Sequence, residues 1–399
     1  MNSIDINSTN FPVKEHSIYL NHCGVSPLYG GALQAMQRFQ DLHARKGIYV
    51  FQEYPDVLDR LHMSAASLLD TNAANISFMK NTAEGLSLIA AGYPFEEGDE
   101  ILSYIHEYPS NHYPWLLQKH RKVALRLLKD DPAHQSRRAR SRHLVAGAWR
   151  FSDLFNMVTD RTRVIALSHV QFTSGFAADL KPLGEFCKAR NIDLIIDAAQ
   201  SLGSLPLSPE ENNIAAIAAS GWKWLLGPIG SGLLYTSPQL RQKLSITAAG
   251  ADIVSQGDDY LNHSWQPWDD ARRFEYSTVS VSQAVALLHC LEELFNPVGI
   301  LNIREQLQQH RRHLLADLNA DFFEPLEFAP ENQSAINSFV LPDGLDPALF
   351  SKQAAQQGVI CSSRGGYLRI APHFYISADE LSEAIGILNT VAASMTASI

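Results

Sequence analysis

Short apolar runs separated by helical or turn segments fill the centre of the chain and limit the folds that it can adopt. The runs RVIALSHV (163–170) and IDLIIDAA (192–199) are rich in branched residues, and LKPLGEFCKARN (180–191) between them has helical spacing. Two more short strands follow as AAIAAS (215–220) and GSGLLYTS (230–237). Strands without a polar face are covered on both sides, and strand–helix alternation is typical of parallel sheets. The centre therefore predicts an α/β fold in which a mostly parallel sheet is flanked by helices.

The segments before this centre extend the predicted sheet, and those after it predict a separate unit. Upstream, TAEGLSLIAAGY (82–93) has the pattern of a helix, and EILSYIHEYPSN (100–111) that of a strand running into a loop. Beyond about residue 275, helices and short strands predict a smaller α+β unit. Its segments are a helix over 279–295 ended by Pro297, a helix over 302–320, the stretches 336–342, 346–358 and 359–372, and a last helix opened by a capping box at Ser377.

The length of the chain favours more than one domain. A chain of 399 residues is too long for one simple core. We therefore predict an N-terminal arm over 1–19, a large domain over 20–275 and a small C-terminal domain over 276–399.

Charge and cysteine content narrow the class of protein. The net charge is −10, whereas nucleic-acid-binding proteins normally show a basic balance. The cysteines Cys23, Cys187, Cys290 and Cys361 have no CxxC spacing, so neither a zinc site nor a disulfide framework is expected. The start MNSIDINSTN lacks the basic and apolar regions of a secretory signal. We therefore expect a protein of the reducing cytoplasm that binds no nucleic acid and no metal.

Two segments allow alternative interpretations. The apolar run 213–235 could suggest a membrane span, but it contains Lys223, Pro228 and four glycines, which predicts two strands around a turn. The stretch HQSRRARSRH (134–143) is basic within an acidic protein. It is either a site for an anionic partner or a solvated surface loop. The lack of interleaved aromatic residues and of a second basic stretch favours the solvated loop.

The stretch SGWKWLLGP (220–228) places the charged side chain of Lys223 between two tryptophans in apolar surroundings. One interpretation is that the lysine lays its methylene stem on apolar surface and keeps its amine in water. The other is that a dry pocket favours the neutral amine, which can then attack a carbonyl carbon. The choice depends on which residues lie nearby.

Polar residues at strand ends favour the second interpretation. Asp197 ends the strand IDLIID at the sheet edge where α/β proteins bind ligands, and a buried carboxylate needs a cationic partner. The protonated ring nitrogen of pyridoxal phosphate (PLP) is such a partner, although Asp197 could instead cap the next turn. Gln200 is spaced to reach the ring hydroxyl. Ser220 and the helix start 81–83 offer either a phosphate site or ordinary helix capping.

The order of these features resembles the PLP-dependent enzymes of fold type I, specifically the class V aminotransferase family with its cysteine desulfurases, kynureninase and isopenicillin N epimerase. The resemblance implies a large domain with a mostly parallel seven-stranded sheet, a smaller C-terminal α+β domain, and PLP as the cofactor. It is carried by YLNHCGVSPL (19–28), NTAEGLSLIA (81–90), EYPSNHYPW (107–115), SHVQFTSG (168–175), DAAQSLG (197–203), SGWKWLLGPIGSGLLY (220–235), RFEYSTVSVSQAVAL (273–287) and YLRIAPHFYISADEL (367–381).

Residue by residue, the resemblance implies how the cofactor is held. Lys223 forms the Schiff base, Asp197 pairs with the ring nitrogen, and Gln200 contacts the ring oxygen. Tyr108 stacks on the ring face, and Trp222 stands where the family usually has a histidine. The residues that would hold the phosphate are Thr82, the amide of Ala83, Ser220, and Thr278 from the neighbouring subunit of a homodimer.

The resemblance also implies where an amino-acid substrate binds. Arg369 in YLRIAPH binds the substrate α-carboxylate with its planar guanidinium. Arg364 and His373 are candidate contacts for the substrate side chain, and each has a surface or structural role as its alternative.

The chain departs from the desulfurase pattern at three points. Trp222 offers one N–H where a histidine is usual, and Phe172 stands where many desulfurases have asparagine. The loop that carries a nucleophilic cysteine in desulfurases looks shortened to CSSRGGYLR, which leaves Cys361 as the nearby thiol. Cys361 follows a strand-like run, so we interpret it as a buried structural thiol and expect no persulfide-forming cysteine.

The reaction that the resemblance implies starts when an amino acid displaces Lys223 to form an external aldimine and loses its Cα proton. Loss of a β-substituent then gives a lyase, whereas reprotonation gives a transaminase or an epimerase. We favour a C–S lyase, with a class V aminotransferase or an epimerase as the alternative. A hypothesis of another class is a non-catalytic nucleotide-binding module in which GPIGSG (227–232) contacts phosphate, although this glycine spacing matches no standard phosphate loop.

Overall fold

The structure is a computed structural model that describes residues 6–257 and 259–397. Residues 1–5, the start of the predicted N-terminal arm and of the segment judged to lack a secretory signal, lie outside the described residues. The strands in these ranges are β1 (Ile18–Tyr19), β2 (Ile76–Met79), β3 (Glu100–Tyr104), β4 (Ala124–Leu128), β5 (Thr162–Ser168), β6 (Asp193–Asp197), β7 (Ala216–Ser220), β8 (Gly232–Thr236), β9 (Glu324–Pro325), β10 (Asn337–Val340), β11 (Val359–Ile360), β12 (Ser362–Arg364) and β13 (Tyr367–Ile370).

The α-helices surround these strands and follow the apolar spacing of the sequence. They are α1 (Gly30–Lys46), α2 (Val57–Leu69), α3 (Thr82–Gly92), α4 (Tyr113–Leu117), α5 (Arg137–Ser141), α6 (Phe151–Met157), α7 (Leu180–Ala189), α8 (Pro238–Lys243), α9 (Val281–Cys290), α10 (Asn296–Val298), α11 (Ile300–Asp317), α12 (Pro347–Gln356) and α13 (Ala378–Thr396). Helix α13 opens with the capping box predicted at Ser377, whose side chain accepts from the Glu380 amide.

The central sheet has seven strands in the order β2-β8-β7-β6-β5-β3-β4. Strands β3 to β7 pair in parallel, and β8 runs antiparallel to both of its neighbours. Every residue of β6, β7 and β8 is buried, as their continuous apolar runs predicted. Side chains such as Ile165, Ile195 and Ile196 are fully buried, and each contributes roughly 1.5–3 kcal/mol relative to an exposed position. The predicted α/β fold with a mostly parallel sheet is confirmed.

The C-terminal unit contains a four-stranded antiparallel sheet in the order β12-β13-β10-β9. The N-terminal residues attach to this unit, because β1 pairs in parallel with β11 and Asn21 forms an isolated bridge with Ala371. The chain after β1 therefore runs between the central sheet and the C-terminal unit. The domain boundaries near residues 20 and 275 stay predictions.

Pro297 does not end the helix that begins near residue 279, so this prediction is wrong. Helix α9 continues through a π turn at Leu291–Phe295 into α10, which contains Pro297. Proline has no N–H to donate, and the wider π turn just before it already departs from the usual hydrogen-bond ladder. The helix ends instead at Gly299, whose φ of +80° suits glycine.

The basic segment 134–143 contains the short helix α5, where the sequence favoured a loop, but Arg137, Arg140 and His143 are exposed as predicted for a solvated surface segment. Helix α5 buries Ala139 completely, in one cluster with Tyr367 of the C-terminal sheet. Arg138 Nη2 donates to the Asp321 carbonyl oxygen at 2.8 Å. The sequence interpretation missed this helix because one alanine among arginines gave no sign of the apolar contact.

The apolar run 213–235 forms β7 and β8 around a turn, as predicted. Among residues 6–257 and 259–397, no single helix is long and apolar enough to cross a membrane. One pair of helical segments, Val281–Val298 and Ile300–Asp317, meets the length and composition requirement only in combination, and it is bent by 78°.

Candidate active site

A cavity of about 630 Å³ opens at the carboxyl ends of the central strands. Its wall includes Ser168, Asp197 and Ser220, the last residues of β5, β6 and β7. Strand ends of this kind are where open α/β sheets place their ligands. The predicted site residues that line the cavity are Thr82, Ala83, Tyr108, Asp197, Gln200, Ser220, Trp222, Lys223, Arg364 and Arg369.

Lys223 lies half-buried in the turn after β7. The turn is closed by a hydrogen bond from the Gly221 amide to the Ser231 carbonyl oxygen at 2.8 Å. A Cβ atom at Gly221 would lie 2.4 Å from the Ser231 hydroxyl oxygen, so a larger residue here would displace the Ser231 side chain. Burial lowers the pKa of the Lys223 amine, and the charge of Asp197 opposes this shift. The cavity therefore favours the neutral, nucleophilic amine more than water does.

Asp197 is a buried carboxylate with one hydrogen-bond donor among the described residues. It is 4% exposed, and its Oδ1 accepts from the Ala199 amide at 2.9 Å. Burial raises the pKa of Asp197, whereas the Ala199 hydrogen bond and the charge of Lys223 lower it. A cationic group in the cavity would complete the pairing of this carboxylate.

The start of α3 forms the polar end of the cavity. Thr82 Oγ1 lies 2.8 Å from the Ser220 hydroxyl oxygen, which also accepts from the Thr82 amide at 3.4 Å. Asn81 caps the helix by accepting from the Glu84 amide. Ala83 lies in the first turn, so its N–H has no acceptor within the helix. Two hydroxyls and a helix N-terminus together suit an anion such as phosphate.

Gln200 connects the cavity floor to the turn that carries Lys223. Its Oε1 accepts from Trp224 Nε1 at 3.0 Å, and its Nε2 donates to the Cys23 carbonyl oxygen at 2.9 Å. The second hydrogen of the amide nitrogen remains available to a ligand oxygen. Trp224 is fully buried, whereas Trp222 is only partly buried and lines the cavity. One tryptophan thus anchors the turn and the other faces the ligand space.

Tyr108 covers one side of the cavity. Its ring centre lies 5.4 Å from Lys223 Nζ, and its edge contacts the Phe172 ring at a centroid distance of 5.3 Å. The ring is 45% exposed, so it is free to stack on a planar ligand.

Glu107 lies behind Tyr108 as a buried hydrogen-bond acceptor that the sequence interpretation missed. Its carboxylate accepts from the Ser168 amide at 2.9 Å, from the Ser168 hydroxyl, from Gln171 Nε2 at 3.0 Å and from Asn111 Nδ2 at 3.2 Å. Burial raises the pKa of Glu107 to about 7, against the opposing effect of the donors. The signal in the sequence was a glutamate directly before the aromatic residue at a strand-to-loop junction.

Arg369 lines the cavity and contains one buried polar atom without a partner among the described residues. It lies on β13 and is 2% exposed. Nη1 donates to the Phe172 carbonyl oxygen at 2.5 Å and Nη2 to the Ser362 hydroxyl at 3.0 Å, but Nε has no partner among the described residues. Arg364 lies at the same cavity and is exposed. A buried guanidinium with a free N–H is arranged for an anionic ligand such as a carboxylate.

Two predicted site residues lie outside this cavity. Thr278 lines a second cavity of about 490 Å³ together with Lys80 and Tyr276. His373 is fully buried; its Nε2 donates to the Trp224 carbonyl oxygen at 3.0 Å and its Nδ1 accepts from the Phe374 amide. Both ring nitrogens are occupied by backbone groups, so the structural alternative for His373 is the one that the structure supports.

The cysteine that lines the cavity is Cys23, which the sequence interpretation overlooked in favour of Cys361. Cys361 is buried, donates to the Ser351 hydroxyl at 3.8 Å, and is absent from the cavity wall. Burial raises the pKa of its thiol to about 12. Cys23 belongs to the segment YLNHCGVSPL that carried the resemblance. Because it is far from Lys223 in the sequence, its place in the same cavity could not be predicted.

The residues present fit PLP on three structural grounds. The start of α3 suits a phosphate, the Asp197 carboxylate has no cationic partner beyond Lys223 among the described residues, and the Lys223 amine is shifted toward its neutral form. Among the described residues, no group of three or more His, Cys, Asp or Glu side chains is placed to hold a metal ion. The fold and the cavity define a PLP-dependent enzyme of fold type I.

Comparison with known proteins identifies the family. The aminotransferase class-V family matches residues 18–368, and the chain belongs to it. It is 24% identical over 395 residues to the probable cysteine desulfurase of Methanothermobacter thermautotrophicus, with 93% of each chain covered. It is 26% identical over 393 residues to the isopenicillin N epimerase of Streptomyces clavuligerus, with 94% of each covered.

Solved structures of C-DES share the fold. A variant of C-DES with glycine covalently linked to its PLP cofactor superposes with a TM-score of 0.85 at 20% identity, covering 96% of this chain and 99% of that chain. The complex of the cystine C–S lyase C-DES with its product, cysteine persulfide, gives a TM-score of 0.84 at 22% identity, covering 95% and 99%. Family membership also excludes the alternative of a non-catalytic nucleotide-binding module.

Proposed function

We propose that this PLP-dependent enzyme is a lyase that breaks a C–S bond at the β-carbon of a sulfur-containing amino acid. The observation that carries the proposal is the convergence of an amine, a carboxylate and a buried guanidinium whose Nε has no partner among the described residues, from Lys223, Asp197 and Arg369, in one cavity. The relatives named a probable cysteine desulfurase and a cystine C–S lyase support chemistry at sulfur.

Different residues of the cavity would contact different parts of the cofactor. Thr82, Ala83 and Ser220 would hold the phosphate, Asp197 would face the ring nitrogen, and Gln200 would donate to the ring oxygen. A second set completes the holding site, with Lys223 as the covalent attachment point, Tyr108 on the ring face and Trp222 beside it. When bound, PLP takes up the electron pair that is left on the substrate Cα as its proton departs.

Arg369 and Lys223 would act on the substrate itself. Arg369 binds the α-carboxylate through its free Nε–H, and the two hydrogen bonds of its other nitrogens fix the plane of the guanidinium. Lys223, whose pKa is lowered by burial, takes the proton from Cα as a neutral amine. Arg364, exposed at the cavity, is available for a second carboxylate on the substrate side chain, whereas His373 has no free ring nitrogen for this role.

The absence of Cys361 from the cavity wall supports a lyase that needs no persulfide on that residue. Loss of the β-substituent from a substrate held in this way leaves a product that decomposes to pyruvate and ammonia. The alternatives are a class V aminotransferase and, in view of the epimerase relative, an amino-acid epimerase.

A product assay tests the proposal. Purified protein supplied with PLP is incubated with the twenty amino acids, cystine and kynurenine. Pyruvate and ammonia from cystine or cysteine are the expected products. Dependence on a second oxo-acid would replace the lyase with an aminotransferase, and inversion at Cα without either product would replace it with an epimerase. Lys223→Ala should abolish both the visible PLP band and the activity, whereas Lys181→Ala, which changes an exposed lysine, should preserve both.

The position of Thr278 supports a homodimer in which each cavity is completed by the neighbouring subunit. Thr278 lies away from the cavity that contains Lys223 of its own chain. We therefore propose that its hydroxyl reaches the phosphate site of a second copy. Light scattering should give twice the chain mass. Mixing inactive Lys223→Ala protein with Thr278→Val protein should restore activity, because one mixed site then has both native residues. Localisation in the reducing cytoplasm stays a prediction.

A further inference from the structure

Cys23 is a buried thiol that donates to Asn21 Oδ1 at 3.6 Å and lies next to the substrate-binding side of the cavity. It lines the cavity and is 3% exposed, so the cavity is its route to solutes. Its Sγ lies 4.0 Å from the Ser362 hydroxyl, which accepts from Arg369 Nη2 at 3.0 Å. Its carbonyl oxygen is held by Gln200 Nε2 at 2.9 Å. One hydroxyl group therefore separates this thiol from the guanidinium that has an unpaired, buried Nε.

Positive charge surrounds the thiol on the cavity side. Arg364 and Arg369 line the cavity together with Cys23, against the single carboxylate of Asp197, and the Lys223 amine beside them is shifted toward its neutral form. An anionic molecule that enters is drawn to the Arg369 end, where the guanidinium charge is buried and its Nε has no partner among the described residues. Such a molecule is held beside Cys23 for as long as its carboxylate is bound.

The other three cysteines are shielded from this chemistry. Cys187, Cys290 and Cys361 are buried and absent from the cavity wall. Burial raises the pKa of the thiols of Cys187 and Cys361 to about 12, and it raises the pKa of Cys290 further. Because the thiolate is the reactive form, these three thiols are expected to be inert in the folded protein.

We propose that Cys23 is a thiol–disulfide exchange site that captures carboxylate-bearing disulfides held by Arg369. This inference rests on the proposed function in taking Arg369 as the carboxylate-binding residue. In the exchange, the Cys23 sulfur attacks one sulfur of a disulfide R–S–S–R. A Cys23–S–S–R bond forms, the original S–S bond breaks, and the second half leaves as a thiol that carries the proton lost by Cys23. No external oxidant is needed.

The adduct would inhibit the enzyme when disulfides of its substrate class are in excess. A carboxylate-bearing group attached to Cys23 occupies the cavity between Arg369 and Gln200, where the amino-acid substrate has to bind. An excess of disulfide over thiol would therefore close the site, and a thiol reductant would reopen it.

The experiment compares two disulfides that are not substrates because they have no amino group. Holoenzyme is exposed to 3,3′-dithiodipropionate or to the neutral bis(2-hydroxyethyl) disulfide, and the adduct is followed by intact mass and peptide mapping. We expect one adduct, on Cys23, formed at least ~10-fold faster with the anionic disulfide, since each charged hydrogen bond contributes about this factor. Dithiothreitol should remove the adduct. Cys23→Ser should give none, and Cys361→Ser should behave as wild type.

The role of Arg369 is tested by Arg369→Gln, which should slow the anionic disulfide ~10-fold and leave the neutral one unchanged. If this variant fails to fold, the two-disulfide comparison on the wild-type protein still decides. Equal rates for the two disulfides, modification of Cys361, an internal Cys23–Cys361 disulfide without an adduct, or no adduct at all would overturn the proposal. Failure to form pyruvate from cystine would remove the proposed lyase but would leave the mass result unaffected.

Discussion

Replacing Glu107 by alanine removes the acceptor on which four buried donors converge. The donors are the amide and hydroxyl of Ser168, Gln171 Nε2 and Asn111 Nδ2, on residues that are at most 6% exposed. Each buried donor without a partner costs roughly 1–3 kcal/mol, and water that fills the space of the carboxyl group recovers part of this cost. We therefore expect Glu107→Ala to lower the free energy of unfolding by about 3–4 kcal/mol near pH 6.

Glu107→Gln keeps the shape and one acceptor, so it should cost less. The glutamine oxygen can accept from two donors, and the Ser168 hydroxyl can rotate to accept from the new amide nitrogen. We expect a loss of about 1–2 kcal/mol near pH 6. Because Ser168 pairs with Asp197 across β5 and β6, and Tyr108 follows Glu107, both substitutions should also weaken PLP binding.

The pH dependence of the same substitution tests the ionisation of the buried carboxyl group. Burial raises the pKa of Glu107 from an ordinary value of 4.5 to about 7. Between pH 4.5 and about pH 7, Glu107 is protonated in the folded protein and ionised in the unfolded chain. The resulting stability is fully present below pH 4.5 and is lost as the pH rises through about 7. The shift corresponds to roughly 3 kcal/mol, so Glu107→Gln should match or exceed wild type in stability near pH 8.

Urea unfolding at fixed PLP concentration, repeated between about pH 5 and 8, measures these differences. Glu97→Ala is the matched control, because that glutamate is exposed and pairs with Lys122 on the surface. A Glu107→Ala protein as stable as the control near pH 6 would refute the claim that the four donors depend on this acceptor. A stability difference between wild type and Glu107→Gln that is flat across pH would refute the raised pKa.

Three further predictions concern the substrate end, the histidines and the Lys223 turn. Arg369→Lys keeps the charge but loses the planar guanidinium, so kcat/KM for the amino-acid substrate should fall roughly 10- to 100-fold. Most of the change should appear in KM. A change in kcat alone would contradict carboxylate binding by Arg369. Burial lowers the pKa of His373 to about 3, and it also lowers the pKa of His22, His169 and His310, so the unfolded chain binds the extra protons below pH 6.5. Stability should therefore fall on acidification by at least about 1.4 kcal/mol per pH unit. Unfolding of the Glu107→Gln protein from pH 7 to 5 should reveal this slope, and an increase in stability would exclude it. Gly203→Ala should destabilise by at least about 2 kcal/mol, because φ is +99° and the new Cβ would lie 2.3 Å from the Trp224 carbonyl oxygen; an unchanged melting temperature would contradict this.

The sequence could predict the parts of the site that depend on strand ends. Continuous apolar runs identified β5 to β8, and Asp197 follows from the end of such a run at the ligand-binding edge of a sheet. Lys223 stood out because a charge in apolar surroundings has few explanations. Arg369 and Tyr108 were identified through the family resemblance, since neither has a local pattern that distinguishes it from an ordinary surface residue.

Residues whose role depends on distant pairing could not be predicted in this way. Cys23 reaches the cavity because β1 pairs with β11 and Asn21 bridges to Ala371, contacts between residues more than 300 positions apart. Glu107 belongs to a residue type that is normally solvated, and only the four converging donors make its burial tolerable. Histidine is a residue type common in active sites, but both ring nitrogens of His373 are hydrogen-bonded to backbone groups.

The two ends of the cavity come from different parts of the fold. Substitutions are therefore tolerated differently at the cofactor end and at the substrate end. The proposed cofactor contacts Asp197, Ser220 and Lys223 lie at the ends of central strands, which are buried on all sides and tolerate little alteration. The proposed substrate end is built from Arg369 on β13, Ser362 on β12 and Cys23 on the segment after β1. Of these, β12 is the edge strand of the small antiparallel sheet and is only partly buried, so its side chains can change with less effect on the core than those of the inner strand β13. This division allows the substrate end to change while the cofactor site is kept, and Arg364 on β12 is where this chain is expected to recognise the substrate side chain.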